Sequence, residues 1–207
     1  MVTVGGSAAA VEQRLVEGRL ACPGCSGVLA GWGYARARSV RGRGGVLRVR
    51  PRRARCVSCG VTHVLLPAGF LLRRADTVAV IGAALSAKAA GAGFRRIAAM
   101  LARPAETVRG WLRRFGSRAE AVRRVFTVLL RAVAADPVMP GPAGDRWADA
   151  VMAIGAAAAA VAVRFAVFRV PLWLWVSAVC GGRLLAPGWP EVVDQHELTL
   201  TRRWGDR

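Results

Sequence analysis

The chain has 207 residues, 54% hydrophobic and 21% charged, so it can bury a core and global disorder is excluded. Its 31 Lys+Arg against 12 Asp+Glu give a formal net charge of +19 with one lysine, Lys88, so the basic character is arginine, suited to bidentate contact with phosphate and guanine edges. The opening residues show neither a basic n-region nor a sustained apolar run, so no secretory signal is read and a reducing, cytoplasmic compartment is expected.

Residues 1–20 read as a loose or marginally helical lead-in. From 21 to 70 a small β unit is predicted: the runs VLAGWGYARARSV and VLRVRPRRARC are strand-like, RGRGG between them supplies a glycine turn, and VTHVLLP is a third strand ended by Pro67. Two Cys-x-x-Cys turns flank this hairpin, CPGC (Cys22, Cys25) and CVSC (Cys56, Cys59). Strand pairing would bring their four thiolates together as a tetrahedral Zn2+ site, a zinc ribbon. The intervening 30 residues exceed the usual spacing of about 15–20, which a long hairpin explains. A redox pair would instead sit at a helix start behind a strand. His63, four residues after Cys59, is either a substitute ligand or a packed strand residue, and Cys180 reads as a small core hydrophobe.

Nine arginines lie from Arg36 to Arg55 without one acid. Strand alternation groups several on one face, and Arg48, Arg50, Arg52 and Arg53 are the candidates for phosphate contact.

At Asp76 the periodicity changes from two to 3.6. Asp76 can cap a helix over TVAVIGAALSAKAAG, with Val78, Ile81 and Leu85 on its buried face. FRRIAAML and AETVRGWLRRF follow as two short helices, with Pro104 in the first turn of the latter. Counted from Phe94, the residues Ile97, Ala98, Leu101, Val108 and Trp111 fall where helix-turn-helix units bury side chains, while Arg103 occupies a position that is commonly apolar. This leaves Glu106, Thr107, Arg109 and Arg113 outward to reach bases, and Arg95 and Arg96 to grip phosphate. The helix-turn-helix region with the amphipathic helix at 117–135 makes a segment 71–135, and DPVMPGPAGDR (136–146) is a linker. Beyond it, 147–207 is a small helical segment rich in Ala and Trp, with a polar tail. The expected class is therefore mainly α with a small β zinc ribbon on its N-terminal side.

The charge divides at the same place. Residues 1–135 hold 24 basic and 5 acidic groups, and 136–207 hold 7 of each, as in a polyanion-binding module joined to a neutral segment. Two uncharged runs, AVMAIGAAAAAVAV and VPLWLWVSAVCGG, are 14 and 13 residues long. They fall short of the ~20 residues of a membrane span and read as two short buried helices, so no membrane association is expected.

CPGCSGVLAGWGYARAR, RRARCVSCGVTHVLLP and GFRRIAAMLARPAETVRGWLRRF together resemble the zinc-ribbon plus helix-turn-helix N-terminal regions of bacterial insertion-sequence transposases, and uncharacterised actinobacterial proteins carrying that pair alone. The resemblance covers residues 22–115. It implies double-stranded DNA binding, Cys22, Cys25, Cys56 and Cys59 as zinc ligands, and Pro104 to Phe115 as the reading helix.

A transposase also needs about three carboxylates around two metal ions. The acids after the helix-turn-helix, from Glu120 to Asp206, are scattered over helical, linker and tail segments without an alternating strand pattern, so no catalytic site is expected. The function read here is a non-catalytic, nucleoid-associated DNA-binding regulator or mobile-element accessory. The alternatives are a remnant or subunit of a transposase, working with a separately encoded transposase, and an RNA-binding zinc-ribbon protein. Residues 147–207 are expected to support a homodimer.

Overall fold

The computed structural model describes residues 1–5, 7–166 and 170–190; the polar tail and Arg169 lie outside the described residues. Two compact units form, Met1–Ala83 with Trp173–Leu184, and Ala84–Leu172 with Leu185–Arg207. Among the described residues there are seven helices and a four-stranded sheet, so the class is mixed α and β with a helical majority among its elements.

The first unit starts with a strand and a helix where the sequence suggested a loose or marginally helical lead-in; the helix was anticipated and the strand was not. Strand β1 (Val2–Val4) pairs parallel to β6 (Thr62–Pro67), Val2 opposite Leu65. Three residues carry too little pattern to reveal a strand whose partner is some 60 positions away. Helix α1 (Ala8–Val16) is capped by Ser7, whose hydroxyl accepts the Ala10 N–H at 3.3 Å, and it buries Val11 and Leu15, four residues apart on one face.

The two long strand-like runs each break in two: β2 (Leu29–Tyr34) and β3 (Arg38–Arg41), then β4 (Val46–Val49) and β5 (Arg52–Cys56). Sheet order is β1-β6-β5-β2, and β3 with β4 is a separate hairpin turning at the expected glycines, where Gly45 has φ +136°. Under α1 the core joins Val4, Val11, Leu15, Leu20, Leu29, Ala54 and Leu65 with Cys22 and Cys56. Asp76, only 2% exposed, receives two hydrogen bonds from the Arg41 guanidinium at 3.1 and 2.6 Å, tying β3 to the start of α2 (Val78–Ala89). Val78, Ile81 and Leu85 are buried as expected. Helix α7 (Leu172–Val179) belongs to this unit; Trp173 lies against Gly82, and Ser177 Oγ donates to the Phe70 carbonyl at 3.4 Å. Cys180 is buried, which pushes its thiol up to about 11.

The second unit is helical. Helix α3 (Phe94–Leu101) has the bounds read from the sequence; α4 (Ala105–Gly116) runs one residue past Phe115, with Pro104 extended as its N-cap rather than inside its first turn; α5 spans Ala119–Val133, and 134–145 has neither helix nor strand. Helix α6 differs from expectation. It runs 20 residues, Arg146–Phe165, because the Asp145 carboxylate accepts the Trp147 N–H at 3.3 Å and starts the helix ahead of the apolar run. Trp147, Ala150, Ala153, Ile154 and Ala157 are buried, whereas Val163 to Phe165 are exposed, so burial is confined to its N-terminal part. By length and composition α6 is long and apolar enough to cross a membrane. A packed core helix meets the same criteria, and the first half of α6 is packed.

Candidate metal centre and nucleic-acid interface

Each Cys-x-x-Cys turn has the same hydrogen-bonded form. Ser26 N donates to the Cys22 carbonyl at 2.8 Å and Cys22 N donates to the Gly27 carbonyl at 2.7 Å. In the second turn Gly60 N donates to the Cys56 carbonyl at 3.0 Å and Cys56 N to the Val61 carbonyl at 2.9 Å. Ser26 and Gly60, four residues after each first cysteine, are both left-handed, at φ +59° and +72°. The turns sit so close that a Cβ on Gly27 would lie 2.3 Å from Ser58 Oγ and 3.0 Å from Cys56 Sγ.

Pairing of β2 with β5, Leu29 opposite Cys56, brings the turns together. The four sulfurs of Cys22, Cys25, Cys56 and Cys59 all lie within 4.8 Å of one another. Cys22 to Cys59 is 3.8 Å and Cys25 to Cys56 is 3.4 Å, too long for disulfides and close to the ~3.8 Å that a tetrahedron of thiolates about 2.3 Å from one ion requires. The donor set and spacing therefore fit a metal ion. The Cys22 thiol is held below its ordinary value chiefly by the Gly24 backbone N–H, and Cys56 is lowered to about 6 chiefly by the Cys59 N–H. At Cys25 the Gly27 N–H pulls downward, but the neighbouring Cys59 and Cys56 thiols outweigh it and push the group up to about 12. Backbone donors thus favour thiolate at two corners, and hydrogen bonding of the Cys25 thiol to its neighbouring cysteines opposes it at a third.

His63 stands just outside this set. It is buried on β6 with Nε2 3.4 Å from Cys22 Sγ and Nδ1 3.2 Å from the Met1 amino group. Burial first, and then the nearby ammonium charge, lower its basicity. With Nδ1 accepting from the ammonium, Nε2–H is the donor toward the sulfur.

The arginines expected to face phosphate divide by environment. Arg48 and Arg50 are exposed. Arg53 is half-buried and reaches Thr62 Oγ1 at 3.4 Å. Arg52 is spent within the fold, donating to Glu12 at 2.6 Å and to the Gly33 carbonyl at 2.6 Å. Sequence alternation could not separate it from Arg53, because its acid comes from α1, forty residues earlier. The aromatic residues Trp32 and Tyr34, absent from the expected contacts, are exposed beside these arginines.

In the second unit the turn between α3 and α4 is three residues, with Ala102 left-handed at φ +49°. Ile97, Ala98, Val108, Trp111, Leu112 and Phe115 are buried and Leu101 is half-buried. Arg103, out of place in the sequence pattern, donates to the Leu101 and Ala102 carbonyls at 3.1 and 3.0 Å, satisfying the end of α3. Glu106, Arg109 and Arg113 are exposed on α4 and Thr107 is half-buried; Arg95 and Arg96 are exposed on α3. The Arg109 guanidinium lies 5.9 Å from the Phe94 ring centroid and 3.6 Å from Glu106, which restrains its direction. No protein family matches the chain, and no curated protein or solved structure does.

Proposed function

We propose that this chain is a non-catalytic double-stranded DNA-binding protein whose first unit is a four-cysteine zinc ribbon and whose α3–α4 pair is a helix-turn-helix. The observation that carries the reading is the division of α4: Val108, Trp111, Leu112 and Phe115 are buried, while Glu106, Arg109 and Arg113 stand in solvent with no apolar role. An arginine on such a helix can form a bidentate pair with guanine, and exposed Arg95 and Arg96 supply sequence-independent phosphate contacts. Zinc is favoured over other ions because all four donors are cysteine sulfur in a near-tetrahedral spacing. The ion supplies a structural cross-link. Cys22 and Cys56 also belong to the core under α1, so its loss would loosen that core.

The reading is tested by titrating the zinc-loaded full chain into labelled duplex DNA at several salt concentrations, with duplex RNA as competitor. Duplex DNA affinity should fall steeply with salt as arginines replace condensed counterions, and RNA should compete poorly. Equal or stronger competition by RNA would favour the RNA-binding alternative.

A further inference from the structure

We propose that strand β2 carries a stacking site for unpaired bases of single-stranded DNA, built on Trp32 and Tyr34. The two rings lie two residues apart on the edge strand of the four-stranded sheet, and they are 50% and 52% exposed. Each is paired with a guanidinium. Arg55 lies 5.0 Å from the Trp32 ring centroid, and Arg52 and Arg50 lie 4.8 and 5.2 Å from that of Tyr34. About half of each residue's surface remains exposed to solvent, where a further planar group can approach.

The sequence around the rings keeps them open. Gly31 and Gly33 flank Trp32, so neither immediate neighbour on β2 carries a side chain. Gly33 is left-handed at φ +71°, and register shifts between Gly31, opposite Ala54, and Tyr34, opposite Arg52, so β2 advances three residues while β5 advances two. Such a bulge turns side chains away from simple alternation. The charges at the rings are guanidiniums: Arg50 and Arg55 are exposed, and Arg52 is paired with Glu12. Exposed aromatics interleaved with arginine suit a single strand, whose bases offer their π faces while its phosphates meet the cations. A duplex would satisfy the arginines but leave the rings without a base face. The choice of DNA as the polymer rests on the preceding reading; the stacking site rests on the ring geometry.

The test uses the full zinc-loaded chain with labelled oligonucleotides of one length: thymidine DNA, an abasic DNA of equal charge, uridine RNA, and a duplex. Thymidine DNA should bind at least tenfold more tightly than the abasic strand. Trp32→Leu and Tyr34→Leu should each weaken it about tenfold, a loss typical of one stacked base. Trp32→Phe and Tyr34→Phe should stay within about threefold of wild type, and duplex affinity should be unchanged in all four. Binding of thymidine DNA with no duplex binding would support the stacking site while removing the helix-turn-helix reading. Equal affinity for thymidine and abasic strands would overturn the proposal even if a leucine variant fails to fold. Folded leucine variants with unchanged affinity, or tighter binding of uridine RNA, would overturn it as well.

Discussion

Ser26 and Gly60 occupy equivalent left-handed positions in the two cysteine turns, but only Gly60 is a residue that adopts this backbone freely. Ser26→Gly should therefore leave the melting temperature unchanged or raise it slightly. Gly60→Val should destabilise by about 1–2 kcal/mol in chemical denaturation, since a β-branched residue is strained at positive φ. Gly27→Ala should weaken metal retention against a chelator, because the new methyl would displace Ser58 or Cys56. At this scale the convergence of the four cysteines was legible from their spacing. The αL serine and the obligatory Gly27 were not, because CPGCSG and CVSCGV show their equivalence only once the hydrogen bonds are paired. Glu120 offers a test by pH. The Arg123 hydrogen bonds chiefly, with Arg124 assisting, lower its carboxyl to about 2. A depressed carboxylate stabilises the fold above its unfolded value near 4.3, and that contribution is lost as pH falls through the folded value. Glu120→Gln should thus be slightly less stable than wild type at pH 7, by a few tenths of a kcal/mol for exposed pairs, and the gap should close between about pH 5 and 2.

Among the elements, packing of two helical glycines against tryptophan is the sharpest feature. A Cβ on Gly116 of α4 would lie 2.7 Å from the Trp147 indole of α6, whose ring centroid is 5.0 Å from that of Phe115 at a 35° tilt; a Cβ on Gly82 of α2 would come within 2.4 Å of three Trp173 atoms. Gly116→Ala and Gly82→Ala gain helix propensity but must move an indole, so each should cost about 1–3 kcal/mol by denaturant titration. Helices α3, α4 and α5 could be read from sequence because each has an apolar face of period 3.6 and an evident stop. Strand β1 could not, being stabilised by a distant parallel partner, nor could the length of α6, where the Asp145 cap carries the helix through Arg146 and Asp149 ahead of the alanines. Residues 147–207 read as one segment, yet α6 packs within the second unit while α7 belongs to the first; composition is silent about such an exchange.

For the whole molecule, charge is the property that sequence conveyed most directly. All 19 net positive charges fall within residues 1–135, and both units expose arginine. What sequence could not convey is which arginines are already engaged, since Arg41 with Asp76 and Arg52 with Glu12 join residues 35 and 40 apart. Arg52→Ala should therefore lower stability rather than act through a lost phosphate contact. Arg48→Ala should weaken binding to all duplexes alike and reduce the salt slope by about one. Purified protein should contain about one zinc per chain, and Cys56→Ser should lose both the metal and the cooperative unfolding of the first unit. A metal-free wild type that unfolds just as cooperatively would remove the zinc assignment.

Reading of duplex sequence by α4 is checked by selecting duplexes from a random pool with the full zinc-loaded chain and with Arg109→Ala and Arg113→Ala. A defined enriched site is expected for the wild type, and for each variant a loss of preference at particular base pairs, at a cost of about 1–3 kcal/mol per bidentate contact. Selection of no site, or of the same site with undiminished preference by both variants, would contradict it.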